Sequence, residues 1–80
     1  MDSDEVKRVI LKELSNIAPE IESDEVPADQ DMREALELDS MDFLNLIIAV
    51  SKRTGVAIPE VDYAKVLTLD AMIAYLMRGD

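Results

Sequence analysis

Residues 36–50 decide the fold, and they read Leu36-Glu37-Leu38-Asp39-Ser40-Met41-Asp42-Phe43-Leu44-Asn45-Leu46-Ile47-Ile48-Ala49-Val50. Asp39 is a favourable N-cap, and Asp42 follows three places later, where a carboxylate can reach back to the amide of the cap. Apolar residues then recur at helical spacing: Met41, Leu44, Ile47 and Ile48, widened by Phe43, Leu46 and Val50. A helix that is apolar on nearly all sides has to be buried or has to contact a partner.

Ser40 would lie in the first turn of this helix. Unpaired backbone N–H groups and the positive end of the helix dipole suit an anion there, and they would favour a phosphodiester on the serine oxygen. An Asp-Ser pair can also do no more than start a helix. These residues alone leave both interpretations open.

Length and composition indicate a single all-α domain over residues 1–80. Two Gly, three Pro and one Phe stand against many aliphatic residues, which favours helices over a sheet. The chain has no Cys, so a disulfide is excluded and any reactive thiol has to come from a cofactor. The N-terminus does not resemble a signal peptide and no apolar run approaches a membrane span, so we expect a cytoplasmic protein.

Before the central helix, the pattern predicts a helix over residues 3–17 that begins with Asp2 or Ser3 as cap and ends before Pro19. Residues 18–38 form a long acidic connection, which Ile21 and Val26 could anchor to the core. Residues 31–36 add a short helical turn, with Leu36 and Leu38 pointing inward. Asp29 and Asp31 resemble the start of a calcium loop. The central Gly is absent and Arg33 falls where a ligand oxygen is needed, which favours a solvated acidic loop without metal.

After the central helix, Gly55 predicts a left-handed helix end, followed by an extended stretch. Pro59 suits the start of a short helix through about Lys65, and Thr68 caps a final helix that Gly79 ends. The core-facing side chains of that final helix are predicted to be Leu69, Met72, Ile73, Leu76 and Met77. The result is a small four-helix bundle, with three longer helices, one short helix and a long loop between the first two. The predicted core is Val6, Val9, Ile10, Leu14, Leu46, Ile47, Val50, Ile58, Val66, Leu69, Ile73 and Leu76.

The net charge of -10 lies entirely in the first half of the chain. Residues 1–42 carry 14 acidic and 4 basic side chains, whereas residues 43–80 carry 4 of each. Such a surface repels nucleic acid and favours partners with basic patches, although acidic surfaces also serve solubility alone. We expect a monomer that does not bind nucleic acid.

Catalysis by Ser40 has little support. A serine nucleophile needs a general base and an oxyanion hole, but the chain has no His and no G-x-S-x-G turn. Asp39 and Asp42 flank the serine and are expected to be exposed and ionised, which makes them poor general acids. No catalytic residue and no metal ligand is predicted.

The tetrapeptide Leu38-Asp39-Ser40-Met41, halfway along an acidic chain and followed by Ile58-Pro59-Glu60, resembles the attachment motif of acyl carrier proteins. This resemblance covers nearly the whole chain. It implies that Ser40 carries 4′-phosphopantetheine, whose thiol holds an acyl group as a thioester. It also implies modification by a phosphopantetheinyl transferase, loading by acyl or aminoacyl ligases or synthases, and no catalysis by the chain itself.

The resemblance further implies a partner-docking surface at the start and exposed side of the central helix. Its candidates are Asp39 and Asp42 for basic side chains, and Met41 and Ile48 as apolar contacts. The apolar pair can equally belong to the core. Glu37 stands where fatty-acid carriers usually have Gly, and Asn45 stands where they usually have Glu. The cargo therefore stays open between a fatty acid and a specialised group such as D-alanyl, and a helical protein-binding adaptor without the cofactor is the alternative from another class.

Overall fold

Helices make up most of the chain in the computed structural model, which describes residues 2–78 and, for Ser23, the backbone alone. The elements are α1 (Ser3–Ile17), a 3-10 turn (Ser23–Glu25), α2 (Met32–Ala35), α3 (Ser40–Thr54), a 3-10 helix (Glu60–Val66) and α4 (Leu69–Arg78). Residues 2–78 contain no strand, apart from an isolated bridge between Asp31 and Thr68. The predicted all-α bundle is confirmed. None of these helices is long and apolar enough to cross a membrane.

Helix α1 has the bounds that its sequence predicts. Oδ1 of Asp2 accepts a hydrogen bond from the backbone N–H of Glu5 at 2.9 Å, which satisfies one of the free amides of the first turn. The buried side of α1 packs against α3 and α4. Glu13 on this side is 9% exposed and pairs with Arg53 of α3 at 3.2 Å, so the buried carboxylate has a charged partner.

Helix α3 is the central element. Its buried side chains are Phe43, Leu46, Ile47 and Val50. The helix ends at Gly55, whose φ of 74° is left-handed and whose N–H donates to the carbonyl of Ser51 at 2.9 Å. A side chain is unfavourable at this φ, which is why glycine suits the position. The prediction that Gly55 forms a left-handed helix end is confirmed.

The long connection between α1 and α3 is tied to the start of α4. The N–H of Met32 donates to the carbonyl of Leu67 at 2.9 Å, and the N–H of Asp70 donates to the carbonyl of Ala28 at 3.0 Å. Met32 itself is fully buried, and Ile21 and Val26, the predicted anchors, are partly buried and pack against the core. We call the two backbone bonds the clasp. They hold α2 next to the second half of the molecule.

The short helix predicted from Pro59 to about Lys65 is present as the 3-10 helix Glu60–Val66. It packs on α4, and the hydroxyl of Tyr75 donates to the carboxylate of Asp62 at 2.6 Å across this contact. The predicted cap at Thr68 is confirmed, because its hydroxyl accepts from the N–H of Ala71 at 3.0 Å. The predicted helix end at Gly79 lies outside the described residues.

The predicted core is buried with one exception, Ile73, which is only partly buried. Met77 is also wrong as a core-facing residue, since it is 44% exposed. The buried residues of α4, spaced three and four apart, form a narrow stripe, and Ile73 and Met77 lie beside it. Met72, predicted to face the core from α4, and Leu38, predicted to point inward, are both buried. The buried apolar residues that the prediction did not include are Ala18, Met32, Phe43 and Val56.

Candidate functional site

The start of α3 presents an exposed serine hydroxyl. Asp39 adopts an extended backbone, and its Oδ1 accepts from the N–H of Asp42 at 2.8 Å, so the predicted cap is confirmed. Ser40 follows as the first helical residue and is exposed. The free amides of the first turn and the helix dipole make this position favourable for an anion on the serine oxygen.

The chain reaches Ser40 through a tight turn. Glu37 has a φ of +55°, the only positive φ of a residue other than glycine within residues 2–78. The next residue, Leu38, is buried, and its N–H donates to the carbonyl of Arg33 at 3.0 Å. A side chain in this conformation carries a steric cost that glycine avoids. A glycine would therefore be favourable at this position, and Glu37 is strained there.

A cavity of about 330 Å³ opens beside Ser40. Its other lining residues come from α2, α3 and the segment around the 3-10 helix: Arg33, Phe43, Leu44, Tyr63, Ala64 and Leu67. Most of this lining is apolar, as in pockets that hold an apolar ligand. A larger groove of about 730 Å³ lies elsewhere, between α1 and the long connection, with Glu22 and Asp24 on its wall. Ser15 lines that groove together with the two acidic residues, whereas the cavity at Ser40 has the more apolar wall and lies at a helix start.

Arg33 is a site residue that the sequence did not reveal. Its Nε and Nη2 donate to the two carboxylate oxygens of Asp31 at 3.2 and 2.9 Å, and its guanidinium lies 5.7 Å from the centre of the Phe43 ring. The hydrogen bond from Arg33 is the main cause that holds the pKa of Asp31 below its ordinary value, and burial opposes it. The sequence showed Arg33 only as a residue unsuited to a calcium loop. The available signal was its isolation as a base in an acidic stretch.

The structure decides between core and surface for two apolar residues of α3 whose sequence spacing allowed both. Met41 is 60% exposed and Ile48 is 43% exposed, so neither belongs to the core. They are seven residues apart on α3 and therefore share a face. Asp39 is exposed and Asp42 is partly exposed at the start of the same helix. Val61 on the 3-10 helix, which the sequence did not single out, is 85% exposed.

Serine catalysis finds no support in this geometry. Lys52 lies twelve residues along α3 from Ser40, which is about 18 Å at the rise of an α-helix. Among the described residues, no group of three or more His, Cys, Asp or Glu side chains is placed to hold a metal ion. What the start of α3 offers is an accessible hydroxyl.

Comparison with known proteins identifies the class. The family model described as "Phosphopantetheine attachment site" matches residues 8–76, so the chain is a phosphopantetheine carrier. The chain is 32% identical over 73 residues to an acyl carrier protein of Campylobacter jejuni, with 91% of this chain and 88% of the relative covered. It is 29% identical over 78 residues to an acyl carrier protein of Rubrobacter xylanophilus, with 98% and 95% covered. The chain belongs to the acyl carrier protein family.

Family membership fixes the general role. The chain is a non-catalytic carrier that a phosphopantetheinyl transferase modifies, and it works with acyl-handling enzymes. Its cofactor is covalently attached 4′-phosphopantetheine. An exposed hydroxyl at a helix start, beside an apolar cavity, fits such a group. No solved structure matches the chain.

Proposed function

We propose that Ser40 is the residue that carries 4′-phosphopantetheine. The observation that supports this most directly is an exposed hydroxyl at the start of α3 which also lines the cavity of about 330 Å³. Asp39 fixes the first turn through its bond to the N–H of Asp42, so the hydroxyl is held at the positive end of the helix. The thiol of the attached group supplies the thioester chemistry that the protein, which has no Cys, lacks.

The test is the mass of the intact protein after incubation with coenzyme A, Mg²⁺ and a broad-specificity phosphopantetheinyl transferase. Ser40→Ala should remain unmodified while the wild type gains one phosphopantetheine. Ser3→Ala is the matched control, because Ser3 is also the first residue of a helix and also follows an aspartate cap. A Ser40→Ala variant that still gains the group, or a Ser3→Ala variant that loses it, would reject the assignment.

For the cargo, we propose an acyl group with an apolar body, from fatty-acid or related lipid or secondary metabolism. Phe43, Leu44 and Leu67 make the cavity beside Ser40 mostly apolar, which favours a hydrocarbon chain over the small, charged D-alanyl group. The experiment loads the carrier with hexanoyl or with D-alanyl phosphopantetheine and compares melting temperatures. Stabilisation by the hexanoyl group alone is expected, and equal melting temperatures would argue against cargo burial.

We propose that Asp39, Met41, Asp42 and Ile48 form the docking surface for partners with basic patches. The exposed apolar pair on one face of α3, next to the two aspartates, supports this arrangement. Asp42→Asn should slow association with the transferase about twofold at low salt and less at high salt. Glu5→Gln, the equivalent change at the start of α1, is the control and should leave the rate unchanged.

A cytoplasmic monomer completes the proposal. The excess of negative charge favours a protein that stays apart from its own copies and from anionic lipid. Sedimentation of the purified chain and fractionation of cells that express it are the direct measurements. A dimer, or recovery with membranes, would contradict this part alone.

A further inference from the structure

Arg33 is oriented by two neighbours and still has donors to offer. Asp31 binds the Nε and Nη2 edge of its guanidinium, and the ring of Phe43 lies 5.7 Å from the guanidinium carbon. A guanidinium has five N–H donors in a fixed plane. Both hydrogens of Nη1 and one of Nη2 therefore remain for a second acceptor. Arg33 lines the same cavity as Ser40.

The negative charge around Ser40 would make a cationic donor stabilising there. Arg33 is the only base among residues 13–51, a stretch that contains 11 acidic residues. A phosphodiester on Ser40 would add another negative charge beside Asp39 and Asp42. Two bases of the second half lie elsewhere: Lys65 pairs with Asp62, and Arg53 pairs with Glu13 at the far end of α3. Arg33 is thus the cation that the cavity lining provides.

We propose that Arg33 is the counter-ion of the phosphodiester on Ser40. Nη1, on the side of the guanidinium that Asp31 does not occupy, donates to a phosphate oxygen, while Asp31 and Phe43 keep the group oriented. This inference rests on the proposed attachment at Ser40. It assigns α2 a role in holding the attached group, in addition to its role in closing the long connection.

The test compares melting temperatures before and after modification, with no acyl group on the thiol. Three proteins are needed: the wild type, Arg33→Gln, and Arg8→Gln as the matched control. Arg8 is an exposed arginine in the acidic half of the chain, so its loss changes the net charge by the same amount. The melting-temperature change on modification should be less favourable by about 4 °C in Arg33→Gln than in the wild type, and unchanged in Arg8→Gln.

Mass spectrometry of each sample separates the possible failures. If the wild type gains the group on Ser40 and the change in melting temperature is the same in all three proteins, Arg33 is not the counter-ion. If the wild type gains no group on Ser40, the attachment proposal fails first and the counter-ion falls with it.

A second measurement needs no variant, which covers the case that Arg33→Gln is folded but poorly modified. The Nη–H NMR signals of Arg33 in the wild type should shift on modification, while those of Arg8, Arg53 and Arg78 stay in place. An unshifted Arg33 signal would overturn the proposal.

Discussion

Two helices of this molecule begin in the same way and serve different ends. In α1 and in α3, an aspartate caps the helix, a serine is the first helical residue, and the carboxylate accepts from the N–H three residues after the cap, at 2.9 and 2.8 Å. Both helices have 15 residues. Ser40 nevertheless lines a cavity with Arg33 and Phe43, whereas the start of α1 is exposed from Asp2 to Glu5. The cap is a general device of helix formation, and the chemistry comes from what surrounds it.

The surroundings differ mainly on the upstream side. Leu38 enters the core immediately before Asp39, and the turn at Glu37 brings the chain back from α2. Residues 8–76 match the phosphopantetheine family, so the start of α1 falls outside the matched region. The difference between the two helix starts predicts that substitutions upstream of Ser40 lower the free energy of unfolding strongly. Equivalent substitutions at the start of α1 should lower it only slightly.

The largest effect on stability is expected from Leu38→Ala, which removes the apolar anchor of the start of α3. Leu38 is 8% exposed, and loss of a buried leucine side chain costs about 3 kcal/mol. Urea unfolding of the unmodified protein measures it. Leu36→Ala is the control, since Leu36 is only partly buried and should cost less than half as much. Equal losses of unfolding free energy in the two variants would mean that Leu38 does not anchor the start of α3 more strongly than Leu36.

Removal of the two caps tests how far the two helix starts are equivalent. Asp39→Ala should cost about 1 kcal/mol, because α3 cannot fray without exposing Phe43. Asp2→Ala should cost less, since residues 2–5 are already exposed and their first turn can open without bringing buried apolar surface into water. The measurement is the same urea titration. A larger loss for Asp2→Ala would reverse the comparison.

Glu37→Gly, unlike the preceding substitutions, is expected to stabilise the protein. It relieves a side chain held at a φ of +55°, and it should stabilise the protein by about 0.5 kcal/mol after the extra backbone entropy of glycine is counted. Gly55→Ala is the counterpart with the opposite sign. Its Cβ would meet no atom within 4 Å, so a loss of about 1 kcal/mol would reflect φ alone. Destabilisation by Glu37→Gly would show that the glutamate side chain makes a favourable contribution.

The smallest effect concerns pH. Arg33 lowers the pKa of Asp31 in the folded state, so this pair stabilises the protein above the unfolded pKa of about 3.9. The unfolded chain takes up the proton first as the pH falls, and the contribution disappears towards the lower folded pKa. The melting-temperature difference between wild type and Asp31→Asn should therefore be largest near pH 7 and shrink below about pH 4. Asp29→Asn controls for the loss of one negative charge, and a difference independent of pH would exclude the pair as its source.

Local signals in the sequence were sufficient for most of the fold. Asp2, Asp39, Thr68 and Gly55 mark helix ends through groups that act within four residues, and the structure confirms each of them. The edge of the α4 stripe was not predictable in this way. Whether Ile73 or Met77 is covered depends on how far neighbouring elements extend over α4, which periodicity does not record.

The residues of the candidate site likewise fall into those that local sequence predicts and those that depend on tertiary contacts. Ser40 and its cap are local features, so the sequence indicated them, whereas Arg33 became relevant only when tertiary contacts placed α2 beside α3. Met41 and Ile48 had the same pattern as core residues because α3 is apolar on nearly all sides, and only packing distinguishes them. The absence of glycine at position 37 was visible in the sequence, but only the structure shows that Glu37 has a positive φ.

The clasp has a consequence for the order in which parts of the protein open. Its two amides, those of Met32 and Asp70, join positions that are far apart in sequence and close a loop of chain that includes α3. Deuterium can replace these hydrogens only when the long connection separates from α4. Their exchange rates therefore report how often the wall behind the cavity loosens, and a cargo that is buried beside Ser40 should slow both of them together.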